Sequence, residues 1–235
     1  MCNYFLLRRQ SDPHVLGVKN GIKQAEISKS GFPNPEKYDY LKNVLGSNNY
    51  WDAKDAIDDL DIELQYVELL SEAKLTDFLQ FGPALINCPF LISEKVSSVF
   101  HRFKIYKCSL FPAVVVDKSQ KYTYFLPHFA RTSDEVIDFS RSVFYIGNHI
   151  TEKQEYAFLS AEDKNAFLKK NVSLKPERLY LRDTFDFSLD LFVMSDGEIV
   201  VSESFKTELL QSECTSGIKF LPAFGDNLQW VSIRK

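Results

Sequence analysis

The chain has 235 residues, 45% hydrophobic and 26% charged, close to the globular average and long enough to bury a substantial core as one large domain or two small ones. Its formal net charge of −4 argues against non-specific nucleic-acid binding, which needs a basic surface, and favours a basic partner. No stretch approaches the ~20 apolar residues of a membrane span.

Aromatics reach 14%, with 20 Phe and 11 Tyr, so aromatic-rich layers of sheet and helix are expected. The four cysteines, Cys2, Cys88, Cys108 and Cys214, form no C-x-x-C pair. That excludes the usual zinc patterns and any disulfide framework, and three of them lie among apolar residues as small buried hydrophobes. The opening run Met1 to Arg9 is too short for a signal peptide, with its charges after the apolar stretch, so a cytoplasmic protein is expected.

In chain order, Tyr4 to Leu7 reads as a strand ended by Ser11-Asp12-Pro13. Residues 17 to 36 are turn-rich, a long loop or a hairpin. Glu36 to Leu45 suits a short helix closed by Gly46-Ser47-Asn48-Asn49. The most acidic part follows: Asp52, Asp55, Asp58, Asp59, Asp61 and Glu63, with Trp51 just before it and Lys54 its one lysine. Ile62, Leu64 and Tyr66 then alternate with polar residues as in a half-buried strand, which puts the acidic cluster on a turn or a frayed helix. Leu75 to Leu79 reads as a short helical segment stopped by Gly82-Pro83.

From Phe90 a strand leads to Ser93, placed as an N-cap, with Glu94 in the first turn. Val96, Val99, Phe100 and Phe103 then form one apolar stripe. Ser109 to Val116 and Tyr122 to Phe129 are a hairpin pattern whose turn lacks glycine. Ser140 to Ile146 reads as a strand, Ser160 to Lys170 as a helix, Glu177 to Leu181 as a strand, and Ser195-Asp196-Gly197 as a turn.

Ile199 to Ser202, the helix from Glu203, and the strand Ile218 to Pro222 repeat the Leu91 to Pro112 pattern, with one inserted residue. The tail Leu228 to Ile233 reads as a last strand. The expected class is α+β, a mostly antiparallel sheet with a few short helices, containing two similar strand-helix-strand units at 90–113 and 199–223 that support one sheet system. Residues 1–70 form a divergent part packed on the same domain as 71–235.

No catalytic constellation emerges. His14, His101, His128 and His149 are far apart, outside H-E-x-x-H or H-x-E, and only 9 Gly residues are available for a phosphate-cradling loop, none in a G-x-G-x-x-G or Walker pattern. Ser93-Glu94 and Ser202-Glu203 suit capping rather than nucleophilic chemistry. No cofactor, metal or nucleic-acid partner is implied. The acidic residues are either a solvated face or a patch for a basic partner; without a D-x-[DN]-x-[DN]-G loop they do not make a calcium site.

Leu75-Thr76-Asp77-Phe78-Leu79, the L-I-S-E helix with its F-P-A strand, Tyr122 to Phe125, Asp190-Leu191-Phe192 and the I-V-V-S-E helix with its G-I-K-F-L-P strand together resemble immunity proteins of bacterial polymorphic-toxin systems. That α+β family lies beside toxin genes, including those of type VI and contact-dependent effectors. The resemblance covers roughly residues 70 to 224. It implies a non-enzymatic protein that binds one cognate toxin and blocks it. Physical reasoning then assigns the toxin interface to Trp51, Asp52, Asp55, Asp58, Asp59, Asp61 and Glu63, facing a basic active-site cleft. The alternatives are an enzyme that reverses the toxin's modification, or a ligand-binding or scaffold module unrelated to toxins.

Overall fold

The computed structural model describes residues 4–18, 23–46, 50, 56–147, 154–169, 174–222 and 229–230, and their strands and short helices make an α+β fold. In chain order the elements are β1 (Tyr4–Arg9), α1 (Pro13–Leu16), β2 (Ala25–Ile27), α2 (Pro35–Leu45), β3 (Leu64–Leu69), β4 (Phe78–Leu79), β5 (Phe81–Gly82), β6 (Leu91–Ser93), α3 (Glu94–Phe100), β7 (Cys108–Asp117), β8 (Gln120–Phe129), β9 (Val143–Ile146), β10 (Gln154–Tyr156), α4 (Ala161–Leu168), β11 (Lys175–Leu179), β12 (Leu191–Val193), β13 (Ile199–Ser202), α5 (Glu203–Gln211), β14 (Ile218–Pro222) and β15 (Gln229–Trp230).

Local chemistry sets the helix starts. Ser93 Oγ accepts the Val96 N–H at 3.4 Å, Ser202 Oγ accepts the Phe205 N–H at 3.1 Å, and Ser160 Oγ accepts the Asp163 N–H at 3.3 Å. Asn34 caps α2 by accepting the Glu36 N–H, with Pro35 at the first helical position. In the β7–β8 hairpin every residue from Cys108 to Asp117 pairs with one from Phe129 back to Gln120, and Lys118, at φ 56°, makes the turn that glycine would usually make.

Leu75 to Leu79 is not helical. Phe78 and Leu79 form β4 and pair with Ile92 and Leu91 of β6, while the Phe78 N–H donates to Ser216 O at 2.9 Å. A segment this short cannot hold a helix alone, so pairing decides its state. In β3 the expected alternation breaks: Leu64, Val67 and Leu69 are the buried residues, because the ladder with β7 shifts register between Leu64 and Val67. Of the turn-rich 17–36 stretch, residues 25–27 become β2, antiparallel to β3 and parallel to β5. The closing residues 47–49 of α2, most of the 228–233 tail and His149 lie outside the described residues.

The strands form three sheets: β12-β13-β1-β14, β10-β9-β11-β15, and β4-β6-β8-β7-β3-β2-β5. The two repeated units therefore support separate sheets rather than one. Position by position, β4-β6-β8-β7 corresponds to β12-β13-β1-β14: β6 and β13 lead into the helices, β7 and β14 leave them, and β1 takes the place that β8 has in the other half. A core shared by both halves joins them, with Phe78, Phe90, Phe100 and Phe129 from one and Leu7, Leu191, Val201 and Phe205 from the other. Phe100 and Phe205 meet edge to face across α3 and α5 at 5.5 Å.

The halves are also cross-tied by two aspartates. Asp77, before β4, accepts the Ser93 hydroxyl at 3.1 Å in its own half and the Ser216 N–H at 3.3 Å in the other. Asp190, before β12, accepts the Ser202 hydroxyl at 2.7 Å in its own half and the Lys104 N–H at 3.1 Å in the other. Gly217, at φ 91°, sits where a Cβ would collide with the Phe78 carbonyl oxygen.

Ser93→Ala and Ser202→Ala are each expected to lower stability by about 1 kcal/mol or somewhat more, because each loses the cap and strips a partner from an aspartate, Asp77 or Asp190. Gly217→Ala should be worse than either. Urea unfolding checks the order, and unchanged midpoints in both serine variants would overturn the capping account.

Candidate functional site: an acidic groove beside β7

Asp58 and Asp59 lie on a single 3-10 turn, Ile57–Asp59, which has no side-chain cap. Ile57, 1% exposed, and Ile62 pin the segment to the core, and the carboxylates of Asp58, Asp59 and Asp61 are left in solvent. The segment then runs into β3, which lies parallel to β7. Between the two is an open groove of about 510 Å³, walled by Asp58, Asp61 and Glu63 and floored by Leu60, Ile62, Leu110, Phe111 and Pro112.

Among the described residues, few groups answer these charges. Asp58 accepts the Ser109 hydroxyl from β7. Asp61, with its side chain 87% exposed, pairs with Lys37 of α2, and that hydrogen bond holds the Lys37 ammonium above its ordinary pKa. Glu63 accepts the Gln65 amide at 3.1 Å. An exposed pair of this kind is screened by solvent and contributes little, so the groove stays acidic and the pairing exchangeable. Among the described residues, no three His, Cys, Asp or Glu side chains gather as a metal site.

Of the seven residues expected at the interface, Asp58, Asp61 and Glu63 come together in the groove and Asp59 stands on the same turn. Trp51, Asp52 and Asp55 lie outside the described residues.

Beneath the groove is an arrangement that sequence reasoning missed. His128 of β8 pairs in register with Ser109, the partner of Asp58, and is 3% exposed. Its Nε2 lies 3.0 Å from the Tyr50 hydroxyl, which accepts the Asn87 Nδ2–H at 2.6 Å. Asn87 Oδ1 in turn accepts Arg131 Nε–H at 2.9 Å. Burial pushes the His128 pKa down to about 4, against the pull of Asp58, so the ring is neutral at physiological pH. A histidine in the apolar run Leu126 to Phe129 was the one available signal, and nothing local tied it to Tyr50 or Asn87.

The two thiols nearest this network, Cys88 and Cys108, are held protonated. Burial pushes the Cys108 pKa up to about 12, with Asp58 adding to it, and raises that of Cys88 as well. His14 and His101 are exposed and do not line the groove.

His128 makes stability fall with acid. An unfolded imidazole titrates near ~6.5, and the folded one near about 4, so between these values the unfolded chain binds more protons. The stabilisation is complete above the upper value and is lost as pH falls through the window, about 3 kcal/mol in all at ~1.4 kcal/mol per pKa unit. His128→Gln should flatten that part of a stability-against-pH curve; an unaltered slope would show the ring to be no sensor. No protein-family model matches the chain, and no curated protein matches it.

Proposed function

We propose that the protein is an immunity protein, which binds one cognate bacterial toxin in the cytoplasm and neutralises it by direct contact, without chemistry of its own. The observation that carries this reading is the groove itself: carboxylates on one side, an apolar floor, and few intramolecular partners. Such a surface fits a basic protein cleft. Complementary charge steers the encounter, and the apolar floor supplies the desolvated centre that an anchor residue needs.

The resemblance of the L-I-S-E and I-V-V-S-E units to toxin-adjacent proteins supports the same reading. Those units lie in the frame; the acidic wall of the groove, Asp58 to Glu63, precedes the part that resembles the family, while Leu110, Phe111 and Pro112 on its floor belong to it. A partner-specific surface is expected in that position, since the frame can stay constant while the turn at Ile57–Asp59 varies.

The test uses the toxin encoded by the adjacent gene. The fourfold variant Asp58→Asn, Asp59→Asn, Asp61→Asn, Glu63→Gln should bind it at least roughly tenfold more weakly and with a shallower salt dependence. Titrating toxin activity should reach its end point near one copy of the wild-type protein per toxin. Undiminished affinity in a variant that still folds would remove the groove from the interface, and protection at far lower ratios would point to an enzyme instead.

A further inference from the structure

A second cavity lies on the seam between the two main sheets, remote in chemistry from the acidic groove. Its volume is about 220 Å³, below the ~300–1,000 Å³ of pockets for drug-sized ligands, so it suits something small. The floor is apolar: Phe129 from the end of β8, Val193 from β12, Leu85 and Cys88 are all buried. Two guanidiniums stand at its rim, Arg9 at the end of β1 and Arg131 just after β8, and no carboxylate of the described residues lines it. In a chain with a net charge of −4, two cations sharing a cavity without an anion are a charge left to be answered from outside.

The two arginines are not equivalent. Arg131 is held in place: Nε donates to Asn87 Oδ1 at 2.9 Å and Nη1 to Ser195 O at 3.1 Å. Nη2 has no such bond and lies against Gly197, where a Cβ would be 3.4 Å away. Gly197, at φ 93°, thus leaves that edge of the fork uncovered. Arg9 makes no hydrogen bond or ion pair with the described residues, whereas its neighbour Arg8 is paired with Glu198 at 2.8 Å. One guanidinium is therefore fixed and the other free to close on a ligand.

We propose that this cavity binds a small organic anion, a terminal carboxylate or phosphate on a compact apolar body. The oxyanion meets the fixed fork of Arg131 and the mobile one of Arg9, as suits the planar donor geometry of arginine. The body lies on Phe129 and Val193. The site shares no lining residue with the acidic groove and does not depend on the toxin-binding reading.

Calorimetric titration of the full chain with benzoate, phenyl phosphate and neutral benzamide tests it. At least one of the two anions should bind saturably and benzamide should not; whichever anion binds tighter identifies the oxyanion. Arg9→Gln, which removes no described contact, should weaken that binding roughly tenfold. Ala84→Phe, placing a ring at the exposed edge of the cavity, should abolish it while leaving the melting temperature unchanged. The proposal falls if neither anion saturates by about 10 mM, if benzamide binds as well, or if Arg9→Gln has no effect.

Discussion

The structure depends on a reciprocal exchange of two aspartates. Asp77 and Asp190 each satisfy the serine that starts a helix in their own half and a backbone N–H in a loop of the other half. Each is an ionised acceptor in a partly buried setting, where charge-assisted bonds are the strong ones and an unmet donor is costly. The same two positions also tie main chain to main chain. The Asp190 N–H donates to Lys104 O at 2.7 Å, while the Phe78 N–H, next to Asp77, donates to Ser216 O at 2.9 Å. Neither half can form its strand-to-helix corner fully without the loop of its counterpart. That coupling makes the halves cooperate although their strands belong to different sheets.

Once the corners are fixed, the positions of both cavities follow. β7 and β8 leave the first corner as a long ladder, and β3 adds to β7 in parallel. Parallel addition, with Leu64 opposite Ala113, places the acidic turn before β3 alongside the start of β7, so the groove is walled where Asp58 meets Ser109. Phe129, at the end of β8, lies beside that start of β7 in the antiparallel ladder, and just beyond it the isolated bridge from Arg131 to Val193 closes the seam that holds the arginine cavity. The chain Asp58, Ser109, His128, Tyr50, Asn87, Arg131 runs under the ladder from one to the other. Each of its buried members is hydrogen-bonded, so the polar path costs little to bury.

Much of the frame could be read from sequence because its signals are local. Ser93 and Ser202 cap as their spacing predicts, the β7–β8 hairpin falls where two aromatic runs flank a polar turn, and Pro35 with Asn34 opens α2. What failed or went unseen is long-range. Leu75 to Leu79 has a helical look, and only the distant β6 and Ser216 make Phe78 and Leu79 a strand. β1 completes the second half from the far end of the sequence, so the correspondence with β8 has no sequence signature. At the groove, composition located the carboxylates, but their wall at Ser109 and Pro112 and the buried His128 beneath required the β3–β7 pairing.

The energetics of the groove suit exchange of partners. Asp58, Asp59 and Asp61 are exposed, and their fold-level anchoring comes from Ile57 and Ile62 rather than from the charges. Fully buried Ile side chains contribute ~1.5–3 kcal/mol each, while the solvent-screened Lys37 pair adds little. The turn therefore keeps its shape whether or not its carboxylates are paired internally. A partner's cation that displaces Lys37 from Asp61 gives up one weak solvent-screened contact and gains another with part of its surface shielded by Leu110 and Phe111, where the effective dielectric is lower and the attraction larger. Apolar anchoring with independent charges is the division that lets a binding surface vary its electrostatics without unfolding its support.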